Sequence, residues 1–228
     1  MKEGASLQLH AFRQNSVMDS PSSAPQGGIR SKAAPPLVAF PTETVWGLGA
    51  PPTQEGWEAL IRAKGRDPKQ AFQVSCASPQ LALAWAQHPD LLRPLTAFWP
   101  GPLTLVVQAR AGLPEYLAPG GWVGLRVPAH PAAQALLHGS GGRLLTSSLN
   151  LSGQPVARSE AEARALGLAE QVLGDGGQPP SGEASTVLRV SETGLDVLRA
   201  GALRLADIRA CLHGTPLAEV PFSGPTQP

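Results

Sequence analysis

Residues 38–50, Val-Ala-Phe-Pro-Thr-Glu-Thr-Val-Trp-Gly-Leu-Gly-Ala, form the stretch from which the rest of the chain can be interpreted. An apolar strand leads into two threonines that flank a carboxylate, and a turn with two glycines follows. Strand ends of this kind are where α/β proteins bind small ligands. The alternative is an ordinary structural corner in which Gly47 and Gly49 supply unusual backbone angles. The stretch alone leaves both interpretations open.

The composition describes a soluble globular protein: 228 residues, 42% of them apolar, with a net charge of +1. This charge gives no general argument for nucleic acid, so any basic site must be local. Cys76 and Cys211 show no CxxC spacing, which argues against a disulfide framework or zinc site and fits a reducing cytosol. We find neither a membrane-spanning apolar run nor an apolar signal segment, and predict a cytoplasmic protein without a membrane partner.

Strand and helix patterns alternate irregularly, without an internal repeat, which favours an α/β (α+β) fold with a mixed parallel and antiparallel sheet. The sequence predicts a flexible N-terminal arm over residues 1–35, rich in Ser, Pro, Gly and Gln. One catalytic domain is predicted over 36–214, and a loosely ordered tail over 215–228.

Two helices have clear start signals. Thr53 can cap a helix that runs to about Lys64. The residues from Ser159 to Glu162 form a capping box, which predicts a helix to about Leu173.

Four cations are candidates for binding an anion. Lys64 and Arg66, just past the first helix, can point at one anion, or can form a solvated, positively charged helix end. Arg126 stands inside an apolar strand and Arg199 ends another. Each is either a surface residue or a buried one that needs a carboxylate or phosphate partner.

A second polar corner follows the strand that begins near Leu144. Residues 147–153, Ser-Ser-Leu-Asn-Leu-Ser-Gly, offer hydroxyls and an amide that can hold phosphate oxygens or a sugar without adding charge. The alternative is a turn in which Asn150 and Ser152 cap their own backbone.

The shortage of carboxylates narrows the chemistry. Between Asp67 and Glu160 the only carboxylates are Asp90 and Glu115, whereas arginines recur. This disfavours chemistry that needs paired carboxylates, as in glycosidases and acid proteases. The sequence also lacks GxSxG, HExxH and P-loop patterns, and its histidines show no metal-ligand spacing. A site of cations, hydroxyls and amides suits phosphate binding and nucleotidyl or acyl transfer.

Seven short motifs then occur in the order found in one known family: Phe-Pro-Thr-Glu-Thr-Val-Trp-Gly-Leu-Gly at 40–49, Lys-Gly-Arg at 64–66, Trp-Pro-Gly-Pro-Leu-Thr at 99–104, Leu-Arg-Val-Pro-Ala-His-Pro at 125–131, Ser-Leu-Asn-Leu-Ser-Gly at 148–153, Ser-Thr-Val at 185–187 and Leu-Arg-Ala-Gly at 198–201. Together they resemble the YrdC-like family of threonylcarbamoyl-AMP synthases, over about residues 37–212. Among its members the chain resembles the short, single-domain type.

The resemblance implies a twisted mixed sheet flanked by helices around a basic concave cavity. It also implies a reaction in which L-threonine, bicarbonate and ATP give threonylcarbamoyl-adenylate and pyrophosphate. The product would pass to a downstream threonylcarbamoyl-transferase machinery that modifies tRNA next to the anticodon. Mg²⁺ would arrive on the ATP phosphates, without a protein-bound metal site or an organic cofactor.

The motif match also implies two sets of ligand-binding residues. The nucleotide would be held by Lys64, Arg66, Ser148, Asn150 and Arg199. Threonine would be held by Thr42, Arg126, Thr146 and Ser185, with its carboxylate on Arg126. Lys64 and Arg66 would be catalytic, because they offset the charge that develops at the phosphate.

Several positions depart from the family pattern. Trp46 replaces a tyrosine, Gln70 a lysine, Leu149 an alanine, and Trp122 a threonine of the longer members. These departures motivate one alternative, a paralogue with changed or lost activity. The basic concave face of the family motivates another, an RNA-binding module of the same fold.

Overall fold

The computed structural model describes residues 35–224. The predicted arm, 1–35, lies outside these residues except for Pro35, as do the last four positions of the predicted tail, 225–228. The strands are β1 Val38–Pro41, β2 Trp46–Ala50, β3 Gln73–Cys76, β4 Leu103–Gln108, β5 Trp122–Arg126, β6 Arg143–Ser148, β7 Gln171–Val172, β8 Thr186–Ser191, β9 Gly194–Arg199 and β10 Phe222–Ser223. The α-helices are α1 Gln54–Lys64, α2 Pro79–Leu83, α3 Pro89–Leu92, α4 Pro131–Gly139, α5 Glu160–Ala165 and α6 Leu205–Leu212.

Within the described residues the strands form one sheet in the order β10-β9-β8-β4-β5-β3-β6-β2-β1-β7. The pairs β1–β2, β2–β6, β3–β6, β4–β5 and β8–β9 are antiparallel. The pairs β1–β7, β3–β5, β4–β8 and β9–β10 are parallel. The predicted mixed sheet is therefore confirmed. None of the helices in this part of the chain is long and apolar enough to cross a membrane.

The register of the central strands assembles one row of site residues. Thr104 of β4 lies opposite Arg126 of β5 on one side and Val187 of β8 on the other. Val187 in turn lies opposite Arg199 of β9. Two arginines that are far apart in sequence therefore stand on the same row of the sheet.

The glycines of the opening stretch serve close packing in the hairpin of β1 and β2. Phe40 pairs with Gly47, and a Cβ atom at Gly47 would lie 2.9 Å from the Phe40 ring. At Gly49 the same ring would be 3.0 Å away. Neither glycine has a positive φ. The interpretation that they supply unusual backbone angles was wrong, because both sit in the regular strand β2 beneath an aromatic ring.

Helix α1 confirms its predicted signals, whereas α5 is much shorter than predicted. The Thr53 side chain accepts a hydrogen bond from the Gly56 amide at 3.2 Å, and Gly65 ends α1 at φ 58°. Helix α5 ends at Ala165, and Gly167 follows at φ 62°. The chain then pairs as β7 alongside β1. Hydrogen bonds to the sheet edge thus replace the predicted helix as far as Leu173.

The described part of the predicted tail, residues 215–224, contains two elements. A 3-10 helix spans Pro216–Ala218 with Leu217 buried, and β10 pairs with β9. Both contacts extend the sheet edge and the core beneath α6.

Gly56→Ala is expected to destabilise the fold. A Cβ atom at Gly56 would lie 2.1 Å from the Pro51 carbonyl oxygen, which is backbone and cannot rotate away. We expect a loss of at least about 2 kcal/mol, although alanine is favoured over glycine in helices by ~1 kcal/mol. Urea unfolding measures this loss of stability. The matched control is Gly194→Ala, where the nearest atom would be 3.6 Å away. Equal unfolding midpoints for the two variants would contradict the packing argument.

Candidate functional site

One face of the sheet carries a cavity of about 770 Å³. Five cations line it: Arg66, Lys69, Arg126, Arg189 and Arg199. Its other lining residues within 35–224 are hydroxyl, amide and apolar residues and glycine, and no carboxylate is among them. A concave surface with one sign of charge attracts ligands of the opposite sign. The cavity therefore suits an anionic small molecule.

Arg126 is the most deeply buried of these cations, with 3% of its surface exposed. Its Nη2 donates to Glu43 Oε1 at 2.6 Å and to Thr44 Oγ1 at 2.7 Å. The other oxygen of Glu43 accepts from the Ala129 amide at 2.9 Å. Arg126 Nε is also buried but has no hydrogen-bond partner among the described residues. A buried donor without a partner is costly, so the cost of burying this guanidinium is only partly offset by Glu43 and Thr44.

Arg199 is anchored beside Arg126 by Ser185, which the motif match assigned to threonine binding. Arg199 Nε donates to the Ser185 carbonyl and its Nη2 to Ser185 Oγ, both at 3.0 Å. Ser185 Oγ also lies 3.0 Å from Thr104 Oγ1. Burial, and secondarily the charge of Arg126, lowers the pKa of Arg199. Two guanidinium groups that repel each other in this way are stabilised by an anion placed between them.

Arg66 lies at the opposite side of the cavity. Its Nε donates to Gln70 Oε1 at 2.9 Å and its Nη1 to Ser147 Oγ at 3.3 Å. The guanidinium also stacks over the Phe72 ring, 4.9 Å from its centre. Burial lowers the pKa of Arg66. These contacts hold the guanidinium in one plane, ready for bidentate contact with phosphate oxygens.

Lys64 is directed at the protein and does not line the cavity. Its Nζ donates to the Ser148 carbonyl at 2.6 Å, to the Asn150 carbonyl at 2.7 Å and to Asn150 Oδ1 at 2.9 Å. Ser148 Oγ donates to the same Oδ1 at 2.7 Å. Burial, and secondarily the charge of Arg66, lowers the pKa of Lys64 to about 8. The lysine therefore fixes the turn that follows β6, behind the cavity wall.

The two predicted threonines take different positions. Thr42 Oγ1 donates to the Val45 carbonyl at 2.6 Å and lies 2.9 Å from Thr44 Oγ1, so it closes its own turn. It is not among the lining residues. Thr146 lines the cavity, and its Oγ1 lies 2.8 Å from Ser75 Oγ.

Six of the nine predicted site residues thus surround one cavity: Arg66, Arg126, Thr146, Ser148, Ser185 and Arg199. Thr42, Lys64 and Asn150 lie directly behind its wall. The sequence reasoning missed Glu43 and Thr44, which hold Arg126. The sequence carries only part of the signal for Glu43: it is a carboxylate in the opening stretch, and a buried strand arginine needs one, but nothing local shows that the two meet.

The positions that depart from the family pattern also have identifiable contacts. Trp46 is fully buried, and its Nε1 has no partner within residues 35–224. Leu149 packs in the core, so its larger side chain lies away from the cavity. Gln70 accepts from Arg66, and Trp122 lies under Arg189, whose guanidinium is 5.2 Å from the ring centre. Gln70 and Trp122 therefore alter the cavity surface, whereas Trp46 and Leu149 alter the core.

Side chains that commonly hold metal ions are scarce around the cavity in the described part of the chain. Within residues 35–224, no group of three or more His, Cys, Asp and Glu side chains could hold a metal ion. Divalent cations such as Mg²⁺ prefer oxygen ligands, carboxylates above all, and the cavity lining offers hydroxyls and amides. An anionic ligand that brings its own Mg²⁺ fits these residues.

A mixed sheet with a cavity whose described lining is cationic and contains no carboxylate defines an α/β protein with a site suited to anionic small molecules. The chain belongs to the Sua5/YciO/YrdC family: the family model Sua5_yciO_yrdC, described as telomere recombination, matches residues 34–201. Relatives named threonylcarbamoyl-AMP synthase include one from Halorhodospira halophila, 39% identical over 61% of this chain and 71% of the relative. Another, from Alkalilimnicola ehrlichii, is 35% identical over 72% of this chain and 88% of its own length.

Solved structures agree with this assignment. Pyrococcus abyssi Sua5 complexed with L-threonine has a TM-score of 0.72 and 33% identity, and the match covers 82% of this chain. The chain spans 55% of the length of that protein. Escherichia coli YciO, at 22% identity and a TM-score of 0.65, shares the fold. The predicted family and the predicted YrdC-like fold are both confirmed.

Proposed function

We propose that this chain is an L-threonylcarbamoyladenylate synthase, a nucleotidyltransferase that uses L-threonine, bicarbonate and ATP. The observation that carries the proposal is the cavity lining, which has five cations, the buried Arg126 among them, and no carboxylate among the described residues. A substrate carboxylate would pair with Arg126, and the remaining cations suit a polyphosphate. The names of the relatives agree with this reaction.

The residues divide the cavity into two sides. The threonine carboxylate would bind Arg126, with Ser185 and Thr146 orienting the rest of the amino acid. The triphosphate would bind Arg66 and Arg199, with Ser148 as a neutral donor. Threonine and bicarbonate first give a carbamate and water, as the threonine nitrogen bonds the bicarbonate carbon, and a carbamate oxygen then attacks the α-phosphorus. The bond from that phosphorus to the bridging oxygen breaks, and pyrophosphate leaves with the bonding electrons. The arginines offset the charge that develops on the phosphate oxygens.

Mg²⁺ enters this scheme as part of the nucleotide substrate. Its ligands would be phosphate oxygens and water, because the described cavity lining contains no carboxylate. The cation would neutralise part of the triphosphate charge. The arginines would act on the oxygens that remain.

The product places the protein within a sequence of reactions. An acyl adenylate is labile, so we propose a cytoplasmic enzyme that passes it to a transferase machinery acting on tRNA. The catalytic domain would span 36–214, with the cavity at its centre. Residues 1–35 and 225–228 are outside the part of the chain on which this proposal rests.

The direct test is pyrophosphate release with ATP, bicarbonate and each of several amino acids. Release that depends on L-threonine, together with threonylcarbamoyl-AMP detected by mass spectrometry, supports the proposal. Binding of ATP without turnover on any amino acid would instead identify a paralogue with changed or lost activity.

RNA binding is a second candidate, because the five cations of the cavity also suit a phosphodiester chain. Salt-dependent binding of tRNA that ATP does not displace would favour this function. Displacement by ATP would assign the cations to the nucleotide.

The proposed activity is expected to fall as the pH rises through about 8, the pKa of Lys64. A neutral amine has one hydrogen fewer for the three acceptors on the turn after β6. The free energy of unfolding changes with pH in the opposite direction to the activity. Because the folded pKa is below the ordinary 10.5, the contribution of this group to the free energy of unfolding is complete above 10.5 and lost as the pH falls through about 8.

Two profiles check this expectation. Pyrophosphate release measured between about pH 6.5 and 9.5 should show the alkaline decline, with circular dichroism as the control for folding. A rate that stays level across that range would contradict the assigned role of the ammonium.

A further inference from the structure

Residues 174–182, Gly-Asp-Gly-Gly-Gln-Pro-Pro-Ser-Gly, form a strap. The strap crosses the turn of Glu43 and Thr44, which holds Arg126. The Ser181 amide donates to the Glu43 carbonyl at 3.2 Å, and the Gly182 amide donates to the Thr44 carbonyl at 2.8 Å. Four of its nine residues are glycine, which leaves an untethered strap many alternative conformations. A defined position therefore needs an anchor.

His130 supplies that anchor. It is buried, with 5% of its surface exposed, just before α4. Its Nε2 lies 2.9 Å from the Gln178 carbonyl, and its Nδ1 lies 3.1 Å from the Ala132 amide. A carbonyl only accepts and an amide N–H only donates, so the proton is on Nε2 and Nδ1 is the acceptor. One neutral ring thus caps α4 and tethers the strap at the same time.

Two segments of the chain contact the turn that orients Arg126. Ala129, next to His130, donates its amide to Glu43 Oε2. Glu43 Oε1 and Thr44 Oγ1 accept from Arg126 Nη2. The same two residues accept the strap amides through their carbonyls. The side chains that orient Arg126 therefore belong to a turn that is held from one side by the strap and from the other by the segment containing His130.

We propose that His130 is a positioning residue: by tethering the strap through Nε2–H, it fixes the Glu43–Thr44 turn and, through it, the Arg126 guanidinium. The Arg126 guanidinium then lies in the cavity wall in one orientation. The identity of the ligand, the threonine carboxylate, rests on the proposed function. The tether itself follows from the contacts alone.

Two amide substitutions separate the two roles of the ring. His130→Asn places its amide near the position of Nδ1, so it keeps an acceptor for the cap but is too short to reach Gln178. His130→Gln places its amide near Nε2, so it keeps a donor for the tether and loses the cap. We expect His130→Asn to raise KM for threonine about tenfold, the factor set by one hydrogen bond of ordinary strength, with KM for ATP unchanged. His130→Gln should stay near the wild type.

The control is His138→Asn, the same substitution at an exposed position in the last turn of α4. It should leave both KM values unchanged. A larger effect of His130→Gln than of His130→Asn would show that the cap, and not the tether, matters, and would overturn the proposal. Equal increases in both KM values for His130→Asn would also overturn it.

Hydrogen exchange provides a readout that does not depend on activity. In His130→Asn the amides of Ser181 and Gly182, which donate into the turn, should exchange faster than in the wild type and in His138→Asn. Unchanged exchange at these two amides overturns the tether, whatever the enzyme assays give. Absence of pyrophosphate release from the wild-type protein would reject the proposed function instead, and the exchange result would still decide the tether.

Discussion

Arg126→Lys is expected to lower kcat/KM for L-threonine at least about 100-fold, equivalent to ~2.7 kcal/mol, in the threonine-dependent release of pyrophosphate. The guanidinium donates to Glu43 and Thr44 through Nη2 and lines the cavity. An ammonium is a point donor on a flexible stem and cannot reproduce this planar arrangement. The charge of the site is retained in this variant, so the loss measures geometry and not net charge.

The measurement is steady-state kinetics with threonine varied at saturating ATP, and then the reverse. KM for ATP should change much less than KM for threonine, because the triphosphate is assigned to other cations. The matched control is Arg110→Lys, at an exposed position outside the cavity. A rate near the wild type in Arg126→Lys would remove the central residue from the proposed site.

The requirement of Arg126 for an anionic partner could be predicted from sequence, but the identity of the partner could not. An arginine in an apolar strand needs a carboxylate or phosphate if it is buried. The structure supplies Glu43 from the turn between β1 and β2, 83 positions earlier in the chain. Only the strand order brings these elements together, and nothing local in the sequence fixes that order. The carboxylate therefore satisfies only part of the guanidinium, through Nη2.

Strand pairing also explains why two predictions from local sequence were wrong. The capping box correctly predicted the start of α5 at Glu160, but its early end depends on the edge of β1 being available for β7. Similarly, Gly47 and Gly49 are explained by the Phe40 ring on the paired strand and not by their own backbone angles. Local signals therefore located starts and caps, while tertiary pairing determined where elements end and why small residues are needed.

The four cations predicted as anion ligands have two different tasks. Arg66, Arg126 and Arg199 line it and are placed by neutral hydroxyl, amide or carbonyl acceptors or by one carboxylate. Lys64, predicted as a phosphate ligand and catalytic residue, gives its donors to the turn after β6. Sequence spacing could place both Lys64 and Arg66 near one anion, but it could not show which of them faces it.

Lys64→Met is therefore expected to reduce both activity and stability, whereas Arg66→Met is expected to reduce activity alone. Methionine keeps an apolar stem of similar length but leaves three acceptors of Ser148 and Asn150 without the donor that they share. Buried acceptors that lose their partner cost about 2–4 kcal/mol here, and the released turn should lower kcat at least about 100-fold.

Urea unfolding and pyrophosphate release, measured on both variants, distinguish a residue that builds the turn from one that binds phosphate. Arg66 is half-exposed and its contacts are with Gln70, Ser147 and the Phe72 ring, so its loss should cost less than about 1 kcal/mol of stability. If Lys64→Met unfolds at the same urea concentration as the wild type, its ammonium does not hold the turn. The lysine would then have to act on the phosphates directly, as its position in the sequence first indicated.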